Sequence, residues 1–168
     1  GLPQKVKLGM EHRDKGGLPH WPPYYAPALN LQLKQIVPEK QLVFTDQPWA
    51  VAWYADRISV WLPRDYAGFE SMDAAATELE TSAAGILITP ASYGSGDMLE
   101  LNTKYKEFTS LVMDGQALIA TSPTPSTLYA ADPKIAGVVK RFPYRIPVLG
   151  YLMTFYGERP IRTSDALE

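Results

Sequence analysis

The stretch from Leu42 to Pro63, LVFTDQPWAVAWYADRISVWLP, constrains the fold more than any other part of the chain. Leu42, Val43, Phe44 and Thr45 form a short apolar run bounded by polar residues, the pattern of a strand buried on both faces. Asp46 ends the run and can cap a helix by accepting backbone N–H bonds, and Pro48 falls where a missing N–H and a fixed φ do no harm. Ala50, Val51, Trp53 and Tyr54 follow at helical spacing. After the polar pair Asp56-Arg57, the β-branched and aromatic run Ile58, Val60, Trp61, Leu62 stops at Pro63. The unit is strand, helix, strand, and so short a connection predicts parallel strands joined by a right-handed crossover.

Composition bounds what surrounds this unit. With 168 residues, 46% hydrophobic and 20% charged, the chain suits one globular domain with a real core. A net charge of −2 and a pI near 5.7 give no electrostatic case for nucleic acid as a partner. The absence of cysteine excludes disulfides, thiolate metal sites and a cysteine nucleophile. No run approaches the roughly 18 apolar residues of a membrane span, and residues 1–17 are too polar for a signal peptide, so the piece is expected to be soluble. A start at Gly1 without methionine fits an excised segment.

Residues 1–17 are expected to be a flexible lead-in and 18–168 a single α/β domain. LPHWPPYYAP, with four prolines among four rings (His20, Trp21, Tyr24 and Tyr25), predicts an extended, surface-docked path. Leu29, Leu33, Ile36 and Val37 mark a helical face that Pro38 halts. From Tyr66 to Glu80, Phe69, Met72, Ala76 and Leu79 share one face of an amphipathic helix. Gly85 to Thr89 reads as a third buried strand ended by Pro90, and a longer helix runs from about Met98 to Met113 with Asp114-Gly115 as its stop. Ala117 to Ala120 fits a strand or a helix equally. A helix over Pro133 to Lys140 and a final strand over Val148 to Phe155 complete the pattern. Strands alternating with helices predict a three-layer α/β/α sandwich with a mainly parallel, Rossmann-like sheet.

Candidate chemistry is sparse. Asp46 stands at the carboxyl edge of the first strand, where open α/β sheets place ligands, so it could hold a metal or act as a base; no second acid has diagnostic spacing, and helix capping is the plainer role. Trp49, Trp53, Tyr54 and Trp61 could stack on a sugar or an isoprenoid, yet their spacing favours the core. Burial of Trp53 predicts a cost of roughly 3 to 5 kcal/mol for Trp53→Ala. Gly94 and Gly96 in YGSGD could cradle a phosphate ahead of a helix, but without a following lysine a loop capped by Asp97 is favoured. His12 and His20, both in the lead-in region, make a serine triad or a histidine metal site improbable. Arg57 and Arg64 suit carbonyl capping or pairing with Asp56 and Asp65 better than a phosphate clamp. No residue set points to a cofactor or a metal.

WPPYYAP at 21–27, then a helix, TDQPWAVAWYADR at 45–57, VWLP at 60–63 and GILITP at 85–90 together resemble the C-terminal extramembrane region of bacterial polytopic proteins related to the C-type, dolichyl-phosphate-mannosyltransferase-like glycosyltransferases. The resemblance covers roughly residues 20–90. It implies a domain on the periplasmic side of the inner membrane whose partner is the transmembrane portion of the same polypeptide, with a lipid-linked sugar or glycan acceptor as a further candidate. Catalytic acids of such proteins lie in loops between membrane helices, so the resemblance assigns no catalytic residue here. The expected role is a non-catalytic accessory domain. A binding module at the carboxyl edge, using Asp46, Trp49, Arg64, Thr89, Gly94 and Gly96, and a free-standing hydrolase or transferase are the alternatives.

Overall fold

A computed structural model describes residues 23–93, 97–120, 133–148 and 152–160. The lead-in, Trp21, Gly94 and Gly96 lie outside the described residues. Helix α1 spans 26–36, with a π-helical turn over Leu29–Leu33; β1 is Leu42–Thr45; α2 spans 48–55 and ends in a second π-helical turn, Val51–Ala55; β2 is Ile58–Trp61. Then come α3 (Tyr66–Glu78), β3 (Ala83–Ile88), the single turn α4 (Pro90–Tyr93) and α5 (Met98–Tyr105). The remainder is a 3₁₀ turn (Lys106–Phe108), α6 (Thr109–Ala120), α7 (Pro133–Arg141), β4 (Tyr144–Val148) and β5 (Met153–Gly157).

The five strands form one open sheet in the order β2-β1-β3-β5-β4. β1 pairs in parallel with both β2 and β3, as the strand–helix–strand pattern predicts. The other two pairings, β3 with β5 and β5 with β4, are antiparallel, so the sheet is mixed rather than mainly parallel. The single final strand expected over 148–155 is instead two. Arg145 and Pro147 break the apolar alternation of β4, and the sheet accepts that proline because β4 is an edge strand. Where β3 pairs with β5, residue 85 has to be glycine: a Cβ there would collide with the Tyr156 carbonyl and stand 2.6 Å from the Phe155 ring.

Two apolar clusters, one on each side of the sheet, hold the helices. Phe44, Ile86, Ile88 and Tyr156 pack with Phe69 of α3, Leu101 of α5, Phe108, Leu111 of α6 and Ile135 of α7. On the other side, Val43, Leu87 and Phe155 pack with Leu29 and Leu33 of α1 and Val51 of α2. The alternation of β1 and β3 between the two clusters follows from the two-residue period of a strand. From β1 the chain crosses outward to β2 and from β2 back over β1 to β3; crossovers of one hand taken in opposite directions place α2 and α3 on opposite faces, as they are found.

Several helix boundaries differ from the periodicity. On α3, Phe69 and Ala76 are buried but Met72, and Leu79 just past the helix end, are exposed, so the inward stripe is narrower than the four-residue face read from the sequence. The helix expected over 98–113 breaks at Lys106, which has φ 48°. The break places Glu107 so that its carboxylate accepts from the Tyr66 amide at 2.8 Å while its own amide donates to the Arg64 carbonyl at 3.1 Å, joining this corner to the start of α3. Nor does Asp114-Gly115 stop a helix. α6 runs through to Ala120, settling 117–120 as helix, because both residues are engaged by the β4–β5 hairpin: Arg145 meets Asp114 at 2.6 Å and Thr154 donates to the Gly115 carbonyl at 3.2 Å.

Candidate functional site: the carboxyl edge of β1 and β3

Because the crossovers leave β1 and β3 in opposite directions, the carboxyl ends of these neighbours form the switch point at which open α/β sheets commonly bind ligands. Asp46 follows β1 and Thr89 follows β3, and the structure brings the two together. The Thr89 amide donates to Asp46 Oδ1 and its hydroxyl to Oδ2, each at 3.0 Å. Ser92 of α4 donates to Oδ2 at 2.5 Å and the Thr45 hydroxyl to Oδ1 at 3.3 Å. Ser92 is in turn hydrogen bonded to the hydroxyl of Tyr105, at the end of α5. Asp46 is 1% exposed, and Thr45, Thr89, Ser92, Tyr25 and Tyr105 are buried with it.

Asp46 therefore does not cap α2, contrary to the plainer role read from its position. The residue preceding α2 is Gln47, whose side chain makes no capping bond. The Gln47 amide is taken by the Thr45 hydroxyl at 3.2 Å, and Pro48 presents no N–H at the first helical position. With those needs met, the carboxylate turns across the sheet to β3.

The direction of donation is fixed for the amides of the cluster. Thr45 accepts from the Gln47 amide and Thr89 from the Ala91 amide at 3.3 Å, which uses one lone pair of each hydroxyl oxygen, and the Thr89 hydroxyl also meets Tyr25. Amides cannot reverse. The Ser92–Tyr105 contact joins two hydroxyls and can run either way. Burial pushes the Asp46 carboxyl above its usual range, against the donors from Ser92 and Thr89 and the more remote charge of Lys104, which pull it down. Burial likewise raises the phenols of Tyr25 and Tyr105, and the charge of Asp46 raises them further.

The other candidates do not converge here. Trp49 is half-buried against the α1–α2 cluster, its indole donating to Gln47 Oε1 at 2.5 Å. Arg64 is exposed, and the contact it makes at this corner is through its carbonyl, to Glu107. Trp53, expected in the core, is 59% exposed, whereas Tyr54 and Trp61 are half-buried. Arg57 reaches the end of α1, donating to the Val37 carbonyl at 2.7 Å and the Lys34 carbonyl at 3.0 Å, which is carbonyl capping. Asp97 caps α5 through the Leu99 amide at 2.9 Å, as the sequence suggests.

Sequence reasoning missed Ser92, Tyr25 and Tyr105. Ser92 carried a faint signal, lying one helical turn beyond a strand end in TPAS; Tyr105 was legible only as a member of an apolar face. Chemically, the described side chains fill the switch point: the serine beside the carboxylate is buried, no described residue beside it is a histidine, and its hydroxyl contacts both Asp46 and Tyr105. Among the described residues, no three His, Asp or Glu side chains gather into a group that could hold a metal ion. Comparisons with protein-family models, with curated proteins and with solved structures find no match to this chain.

Proposed function

We propose that the chain is a non-catalytic accessory domain on the periplasmic side of a bacterial inner-membrane protein of the glycosyltransferase-like kind that its 20–90 segment resembles. The observation that carries the non-catalytic part is the occupied switch point, where the ligand place of an open α/β sheet is taken by the side chains of Asp46, Thr89, Ser92 and Tyr105. Helices on both sides of the sheet support the finer architecture, a three-layer α/β/α sandwich of Rossmann-like form. The partner is the transmembrane portion of the same polypeptide; a lipid-linked sugar or glycan acceptor would be handled jointly with that portion. No helix of the described residues is long and apolar enough to cross a membrane.

Two measurements test this. The purified chain, offered activated sugars, lipid-linked sugars and model esters with and without divalent cations, should turn over none of them, and turnover abolished by Asp46→Asn would make the carboxyl edge an active site. In the full-length protein, cysteines replacing the exposed Glu78 and Lys40 should react with a membrane-impermeant reagent from the periplasmic side. Labelling that requires access to the cytoplasm would overturn the topology.

A further inference from the structure

A helix on the surface of a globular protein turns polar side chains outward, and one that is apolar all round is normally covered. α2 is apolar all round: PWAVAWYA carries no charged residue, and its only side-chain polar atoms are those of two indoles and the Tyr54 phenol. Yet Val51 and Ala55 face inward while Trp53, between them, is 59% exposed. α1 repeats the arrangement, with Leu29 and Leu33 inward and Leu31 60% exposed. The π-helical turns that hold Leu31 and Trp53 pack against each other, which sets both residues on one outer surface. Tyr24 extends that surface at the start of α1, its ring edge-on to Tyr25 at 5.6 Å. Such turns are rare and recur at functional sites, and here each adjoining helix places one at the exposed centre.

Charge separates this layer from the opposite one. Together α1 and α2 carry one charged side chain, Lys34, and no acid. Residues 65–80, which include α3 on the other face, carry Asp65, Glu70, Asp73, Glu78 and Glu80 and no base. At the border of the α1–α2 layer Lys40 and Arg57 join Lys34, with Glu39 and Asp56 as the acids beside them. A phosphate-bearing lipid surface therefore repels the α3 layer and tolerates this one. Trp and Tyr suit such a boundary, with the ring body toward the acyl chains and the polar tip among headgroups, and Leu31 adds an aliphatic group to bury. Residues 1–22 also join the domain at this layer, because Pro23 leads directly into α1.

We propose that the outer surface of α1 and α2, centred on Leu31 and Trp53, docks on the headgroup boundary of a lipid bilayer, with α3 turned away from it. The choice of face rests on the exposure and charge of the two layers. The nearness of a bilayer rests on the reading of the chain as a domain of a membrane protein.

The chain has no cysteine, so Leu31→Cys and Leu79→Cys each take a single nitrobenzoxadiazole label, one on each layer. With vesicles of phosphatidylethanolamine and phosphatidylglycerol, the label at 31 should brighten severalfold and be quenched by spin-labelled lipid, while the label at 79 stays unchanged. Leu31→Glu combined with Trp53→Glu should weaken vesicle binding by about tenfold or more, and Leu79→Glu should not weaken it. No change at 31, or equal changes at 31 and 79, overturns the docking face. A label at 31 already shielded without lipid also overturns it: shielding that survives dilution gives the face to residues 1–22, and shielding lost on dilution gives it to a second copy. In the full-length protein, shielding at 31 that spin-labelled lipid does not quench gives it to the transmembrane portion and overturns the lipid assignment. Lipid contact at 31 together with cytoplasmic labelling of Lys40→Cys and Glu78→Cys would overturn the periplasmic reading and leave the docking face standing, whereas periplasmic labelling without contact at 31 would do the reverse.

Discussion

Among the described residues, Asp46 at the carboxyl edge and Asp114 on α6 are carboxylates buried to the same depth, and they are neutralised in different ways. Asp114 has a cation: Arg145 of β4 meets it at 2.6 Å, and Tyr156 of β5 donates to its other oxygen at 3.0 Å and to the Leu111 carbonyl at 3.1 Å. Asp46 has four neutral donors and, in Lys104, a charge acting only from farther off. The Asp114 group ties α6 to the antiparallel hairpin that was added to the parallel strands. The Asp46 group ties the two parallel strand ends to each other and to α5. An ion pair with a fixed charge makes a permanent staple, while a carboxyl held by hydroxyls retains the option of taking a proton.

The largest effect should come from breaking the staple. Arg145→Met leaves Asp114 buried without its cation, and the loss of stability should reach about 3 to 5 kcal/mol in chemical denaturation. A loss below about 1 kcal/mol would mean that the partners Asp114 retains satisfy it without Arg145, and the contrast between the two carboxylates would fall. Next is Thr89→Val, which keeps the shape of the side chain and deletes one donor to Asp46. It should cost about 1 to 3 kcal/mol at neutral pH. The deletion should cost less in acid, where the carboxyl carries its own proton.

The third test is the pH dependence itself. The folded-state value of Asp46 is raised above that of the unfolded chain, so its contribution to stability is fully present below the ordinary carboxylate value and is lost as pH rises through the raised one. Asp46→Asn has no proton to lose. Its stability relative to wild type should therefore climb with pH across that window, by at most about 1.4 kcal/mol per pH unit, and be constant on either side. Urea titrations of both proteins at a series of pH values read this difference, and a relative stability that falls as pH rises would reverse the sign of the linkage.

What the sequence disclosed about the two groups differs for a physical reason. The parallel unit β1–α2–β2 and the third strand were legible because short apolar runs ending in Asp, Pro or Gly leave few other structures. Asp46 and Thr89 were legible as strand-end residues, since topology alone brings the carboxyl ends of neighbouring parallel strands together. Their partners Ser92 and Tyr105 come from a one-turn helix and from a helix end, where position in the chain says little about direction in space. The Asp114 group was misread altogether: Asp-Gly resembles a helix stop, and only the hairpin, itself hidden by Arg145 and Pro147, explains why the helix continues. Hydrogen bonds between residues about 30 to 45 positions apart leave no periodic trace.

The smallest effect concerns Trp53, and it sharpens the comparison by marking where burial ends. Helical spacing put Trp53 in the core with Val51 and Tyr54, with a cost for truncation of roughly 3 to 5 kcal/mol. In the structure the inward positions of α2 are Pro48, Ala50, Val51 and Ala55, and the ring at 53 points away from the sheet with 59% of its surface exposed. Only the covered fraction of the ring can contribute transfer free energy, and no cavity opens in a core that the ring does not enter. Trp53→Ala should therefore cost no more than about 1 kcal/mol, well below Arg145→Met in the same denaturant series. A cost above about 3 kcal/mol would restore Trp53 to the core and undo the assignment of the outer face of α2.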